Sequence, residues 1–254
     1  MKLRLDKILA SNGYGSRKDV KRIIHTRTLA VNGIICTDGA ALLDPETDRI
    51  ELDGAPVKLR TDVYLMLNKI SGVITSTMDS DHRTVMDLLD EPYSRMDLFP
   101  VGRLDGDTEG LLIITNDGPL THRLTSPKTG VDKTYFARLR DPVDSELFAE
   151  YEKRFREDIT FHDGYTCLPA SISRSGPLSL SSVGPDEVFL TIQEGKYHQV
   201  KKMFKVVGNE VVYLRRVSMG SLVLDSSLAP GSYRELTAEE IVLLRKQSGV
   251  NLGT

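Results

Sequence analysis

Three carboxylates, Asp105, Asp107 and Glu109, stand at alternate positions in "VGRLDGDTEGLLIITNDG" (101–118), ahead of a glycine and an apolar run. Such a set could ligate calcium, shape a turn, or present one carboxylate at a strand edge as a nucleophile. The calcium register breaks down at its end. With Asp105 as position 1, the ligand position 12 should be a bidentate glutamate but is Asn116. The intervening "LLIIT" reads as a buried strand rather than a ligand loop. A turn and a catalytic carboxylate remain. Arg103 lies two residues before Asp105, so on an extended edge both side chains point the same way. Asp107, Thr108 and Gly110 read as turn-formers supporting Asp105.

Two other stretches carry polar residues of types that can do chemistry. Lys133 and Tyr135, in "KTY", fall on one face of a predicted strand. His198, Gln199, Lys201 and Lys202 follow one another in "EGKYHQVKKMF" (194–204). Taken singly, these are an ordinary strand tyrosine, a surface histidine and exposed helix lysines.

The elements that must position these residues fall into two textures. In the first, Leu5, Ile8 and Leu9 recur at helical spacing, and Asn12-Gly13 supplies a stop. Ser16-x-x-Asp19 then opens a second helix with Val20, Ile23 and Ile24 as its apolar stripe. Arg17, Lys18, Lys21 and Arg22 project around its other face, either as a solvated surface or as a phosphate-binding one. Asn32-Gly33 is a hairpin turn, and "DRIELDG" alternates as a strand. The charge is lopsided: residues 1–27 hold eight Lys/Arg against two Asp, whereas 28–60 hold three basic residues against six acidic ones. Phosphate contacts are short-range and salt-screened, so this local excess matters more than the net charge of −3.

From Val63 onward, "VYLMLNK", "GLLIIT", "TYFARL" and "EVFLTIQEG" read as strands. "VMDLLD", "SELFAEYEKRF" and "VKKMFKVV" read as interleaved helices, and "LTAEEIVLLRKQ" as a closing one begun by a second capping box, Thr237-x-x-Glu240. The chain has no G-x-G-x-x-G after a strand and no Walker A lysine, which sets nucleotide-cofactor folds aside. Cys36 and Cys167 have no metal-ligand spacing, as in a chain from a reducing compartment. No apolar run approaches a membrane span, and the charged N-terminus lacks a signal-peptide core. A cytoplasmic location and no membrane partner are the expectation, and with no sign of an oligomer interface, so is a monomer.

The first texture, with its "SRKDVKRII" stretch and "VNG" turn, resembles the S4-type RNA-binding module. "GRLD" (102–105), "KTY" (133–135) and "EGKYHQVKKMF" follow it in an order and spacing that resemble the RsuA/RluB/RluE/RluF family of pseudouridine synthases. The resemblance covers nearly the whole chain. Tyr197-His198 and "LAPGSYRELT" (228–237) place it nearest the small-subunit branch.

The resemblance implies an α+β chain: an S4-like RNA-binding domain over 1–59, a linker near 59–62, and a mixed α+β catalytic domain over 60–254 with a central antiparallel sheet. It implies isomerisation of a uridine in 16S rRNA, that of position 516, in free rRNA or a partly assembled small subunit, without cofactor or metal. The alternatives are a 23S rRNA synthase and a noncatalytic rRNA-binding or assembly factor. By resemblance Asp105 is the nucleophile, Lys201 its basic partner, and Tyr135 the residue stacked on the uracil. Arg103 occupies the space of the flipped nucleotide or holds phosphate, His198 and Gln199 line the pocket, and Lys133 lies beside Tyr135. Arg17, Lys18, Lys21 and Arg22 contact phosphate.

Overall fold

The computed structural model describes residues 2–57, 59, 62–157, 159–177 and 183–247. Arg60 and Thr61, from the expected linker, lie outside the described residues. The chain forms two compact units: Met1–Val63 with Met86–Phe99, and Tyr64–Val85 with Pro100–Thr254. The segment 86–99 thus belongs to the first unit, where a single cut near residue 60 would put it in the second.

The first unit carries β1 (Leu3–Arg4), α1 (Leu5–Ser11), α2 (Arg17–Thr26), β2 (Leu29–Val31), β3 (Ile34–Ile35), β4 (Leu42–Leu43), β5 (Ile50–Leu52) and β6 (Ala55–Pro56). Local chemistry dictates its corners. The Asp19 amide donates to Ser16 Oγ (3.3 Å) while the Ser16 amide donates to the Asp19 carboxylate (3.1 Å), a reciprocal capping box that starts α2. Asn32 and Gly33 have φ of 51° and 78°, the left-handed pair that a two-residue hairpin needs to match strand twist. Val20 and Ile24 of α2 pack with Leu5, Leu9, Leu29 and Ile50 in one core. Arg17, Lys18, Lys21 and Arg22 are left on the exposed face.

The second unit is built on β7 (Tyr64–Lys69), β8 (Phe99–Pro100, where the chain returns), β9 (Glu109–Thr115), β10 (Lys133–Leu139), β11 (Ser171–Ser173), β12 (Glu187–Ile192), β13 (Val211–Met219), β14 (Leu222–Val223) and β15 (Tyr233–Glu235). Its helices are α3 (Gly118–Thr125), α4 (Ser145–Arg156), α5 (Gln199–Val206) and α6 (Ala238–Gln247). Seven strands run in the order β11-β12-β10-β13-β9-β7-β15. On one side Met66, Leu111, Ile113, Leu120, Leu124 and Met219 share a core. Elsewhere Phe155 of α4 meets Phe204 of α5 edge to face, centroids 5.2 Å apart.

The sheet is mixed, not antiparallel throughout. β9 and β13 run parallel, pairing Glu109 with Arg215 and Gly110 with Arg216. The reason is connectivity: three strands and three helices intervene between them, the long crossover that a parallel pair requires and a hairpin cannot supply. Gly110 permits the approach. At φ 96°, a Cβ there would sit 2.3 Å from the Arg216 carbonyl oxygen. The "VMDLLD" segment closes only one 3-10 turn, Val85–Leu88. Among the described residues no helix is long and apolar enough to cross a membrane.

Candidate active site

Asp105 lies in the loop that leads into β9, not on a strand. The Thr108 amide donates to the Asp105 carbonyl (3.1 Å) and closes a turn over 105–108. The turn and carboxylate readings are therefore both true of one loop. The residues that a calcium loop would need for its second half, Leu111–Thr115, are a fully buried strand.

Two contacts invisible in the sequence fix this loop. Thr75 Oγ1 accepts from the Leu104 amide (3.1 Å) and donates to the Leu104 carbonyl (2.8 Å), pinning the backbone just before Asp105. Lys69, at the end of β7 and 0% exposed, donates from Nζ to the carbonyls of Ile70 (3.1 Å), Asp105 (3.1 Å), Gly106 (3.2 Å) and Thr108 (2.8 Å). A buried ammonium gathers the loop as a bound cation would. Burial pushes its pKa from 10.5 down to about 8, against the pull of Asp107, Glu109 and Asp105. The only sequence signal was a lysine closing an otherwise buried strand.

The Asp105 carboxylate faces the start of α5. Lys201 Nζ is 3.4 Å from Oδ2 and His198 Nε2 is 3.7 Å from Oδ1. Lys201 is held more tightly by Asp107, at 2.6 and 2.8 Å. Burial is the largest single influence on Asp107 and works against its ionisation, but the hydrogen bonds and the charge of Lys201, with the smaller backbone and His198 contributions, together outweigh it and hold the carboxyl below its ordinary value. Asp107 is thus more than a turn-former. It anchors the cation that stands beside Asp105.

Arg103, Asp105, Thr108, Tyr135, His198 and Gln199 line one cleft. Tyr135 enters it from β10, 7% exposed. The Gln199 amide is spent internally: Nε2 donates to Glu194 (2.7 Å) and Oε1 accepts from the Lys196 amide (2.9 Å). Glu194 also accepts from the Tyr165 hydroxyl (2.5 Å), so this network fixes where α5 begins.

Lys133 is not among the cleft's walls. Its Nζ donates to the Val131 (2.8 Å) and Gln193 (3.1 Å) carbonyls. The register shift between Thr134 and Tyr135 puts its extra residue, Val217, on β13, so alternation along β10 is unbroken; Lys133 stays out of the cleft because its ammonium is held on these two carbonyls. Arg17, Lys18, Lys21 and Arg22 belong to the first unit.

Lys133, like Lys69, has its pKa pushed from 10.5 to about 8 by burial. Above about pH 8 the folded chain releases protons that the unfolded chain still holds, so both lysines make stability rise with pH. Cys167, raised by burial from 9.0 to about 12, acts in the opposite sense once the unfolded thiol ionises. The lysine effect is cleanest between about pH 8 and 9. Relative to wild type, Lys133→Met should show a shallower rise across that window in urea unfolding; identical pH slopes would show that Lys133 does not titrate as described.

The cleft thus joins the Asp105 carboxylate to the Tyr135 ring, and Lys201 stands beside that carboxylate from the neighbouring groove. The family model for RNA pseudouridylate synthase matches residues 63–205, more than half of the chain. The chain belongs to the RNA pseudouridine synthase family. This pseudouridine synthase is 46% identical to the RNA pseudouridine synthase YtzG of Bacillus subtilis, over 96% of this chain and 99% of that one. It is 41% identical to the ribosomal small subunit pseudouridine synthase A of Escherichia coli K12, over 94% and 98%. A crystal structure of a pseudouridylate synthase superposes with a TM-score of 0.64 at 37% identity, over 95% of this chain and 99% of that chain.

Proposed function

We propose that this pseudouridine synthase isomerises one uridine of the small-subunit rRNA, that of position 516, with Asp105 as nucleophile. The observation that supports the target is the near full-length identity, 39–41%, to ribosomal small subunit pseudouridine synthase A chains. Asp105 supports the chemistry, because it is the cleft carboxylate with two basic neighbours.

Isomerisation breaks the bond from C1′ to N1, turns the uracil, and joins C1′ to C5. A proton leaves C5 and N1 gains one. Asp105 divides this into two steps, by addition at C6 or through a glycal on the ribose side. Lys201, anchored by Asp107, stands 3.4 Å from the carboxylate as its basic partner. Tyr135 stacks on the detached base and takes part in removing the C5 proton. Arg103 occupies the space left when the target is extruded from its stack. Tritium release from 16S and 23S rRNA labelled at uracil C5 tests the reading. Release from 16S alone supports it, and release from 23S alone moves the enzyme to the large-subunit rRNA.

The first unit is read as the S4-type RNA-binding module, with Arg17, Lys18, Lys21 and Arg22 on phosphate. Arg22 has the Asp19 carboxylate at 3.5 Å, an exposed pair of little strength that a phosphate can replace. Neutralising all four should weaken rRNA binding and lower the slope of log K against log salt by about 0.7–0.9 for each phosphate they neutralise. Filter binding from low to high salt measures this, and an unchanged slope would refute it.

A further inference from the structure

Tyr197 has no place in the chemistry above, yet its ring is held with care. It is 73% exposed and stacks face to face on His198, centroids 3.8 Å apart at 20°. The Lys202 ammonium stands 5.7 Å from its centroid. His198 itself holds φ 54°, a left-handed conformation that a non-glycine residue rarely adopts and that costs about 1 kcal/mol or more. That turn sits immediately before α5 and leaves the imidazole 3.7 Å from Asp105 on one side, with the phenol on the other. From the nucleophile outward runs a continuous series: carboxylate, imidazole, phenol.

His198 also walls a second groove, which continues along α5 with Lys201, Lys202, Lys205 and Asn209. Lys202 has the exposed Asp163 at 3.5 Å, a weak tie that a phosphate can displace. An exposed aromatic face beside a cationic groove is the pairing that single-stranded nucleic acid binds: base on ring, phosphate on ammonium. A protein partner would have no use for the groove's charge unless it were itself acidic.

We propose that Tyr197, backed by His198, is a stacking platform for the base of the nucleotide next to the target uridine, with the intervening phosphate against Lys202 and Lys205. The inference rests on the reading of this chain as an enzyme acting on rRNA. Extruding the target breaks the neighbour's stack, and Tyr197 replaces the lost face. Tyr197 is then a specificity residue that acts on substrate capture, not on the bond exchange.

The test uses the full chain and 16S rRNA, with the modified uridine mapped first. Tyr197→Ala should raise KM about ten-fold, the worth of one stacked base, and leave kcat within about two-fold. Tyr197→Phe and Tyr197→Trp should restore KM, which a merely structural role would not allow for the larger ring. Ligated rRNAs with an abasic nucleotide on one or the other side of the target complete the cycle. On one side the wild type should fall to the Tyr197→Ala level, and the variant should lose nothing further. An unchanged KM in Tyr197→Ala, or additive losses on both sides, overturns the platform while leaving the enzyme reading intact. A wild type that releases no tritium from any rRNA overturns both.

Discussion

Asp105→Asn is expected to lower C5 tritium release by about 10⁴-fold or more, the scale seen when a covalent-catalysis nucleophile is removed. The substitution is nearly isosteric and the loop does not depend on the carboxylate. The Asp105 carbonyl, which accepts from Thr108 and Lys69, is untouched. Lys201 stays anchored on Asp107. Folding should therefore be preserved, with Tm within about 2 °C of wild type. Asp107→Asn makes the informative contrast. It frees Lys201 to move onto Asp105, so the nucleophile keeps a cation but loses its defined position, and a loss of about ten-fold is expected. Single-turnover tritium release at saturating 16S rRNA separates the two. An Asp105→Asn chain that retained wild-type turnover would remove the nucleophile assignment altogether.

What the sequence made legible was local. The Ser16–Asp19 and Thr237–Glu240 capping boxes and the Asn32-Gly33 hairpin are written in residues three or fewer apart, and each forms as its spacing requires. The strands β7, β9, β10 and β12 were equally plain, because aliphatic, β-branched and aromatic residues are concentrated in them. The parallel β9–β13 pair was not legible, since it joins residues about a hundred positions apart and depends on Gly110 accepting the Arg216 backbone. The site divides in the same way. Asp105, Tyr135 and His198 could be named from motifs, and one cleft holds them all. The anchoring of Lys201 by Asp107, 94 residues away, could not. Lys133 shows the limit of periodicity: strand alternation puts it on the face of Tyr135, but the carbonyls of Val131 and Gln193 that hold its ammonium are not written in that alternation.

Lys69→Met should damage both stability and turnover, for a reason that starts in the backbone. Lys69 puts three N–H donors among four carbonyls, three of them in the turn that carries Asp105. Methionine fills much the same volume and keeps the apolar stem, but leaves those carbonyls buried without their donor. Each unsatisfied group costs about 1–3 kcal/mol, offset by no longer burying an ammonium, so a net loss of about 2–4 kcal/mol is expected. In a chain of this size that is a fall in Tm of about 5–15 °C. The turn can relieve the loss only by rotating its carbonyls toward water, which swings the Asp105 side chain away from Lys201 and His198. A displacement of about 1 Å in a reacting group costs on the order of 10² in rate, so kcat should drop by that factor while KM for rRNA changes little. Thermal unfolding with single-turnover kinetics decides the matter. A Lys69→Met enzyme with wild-type kcat and lowered Tm would make Lys69 a stability residue only. Unchanged values of both would mean that the Thr75 hydrogen bonds to Leu104 and the 105–108 turn suffice to hold the nucleophile.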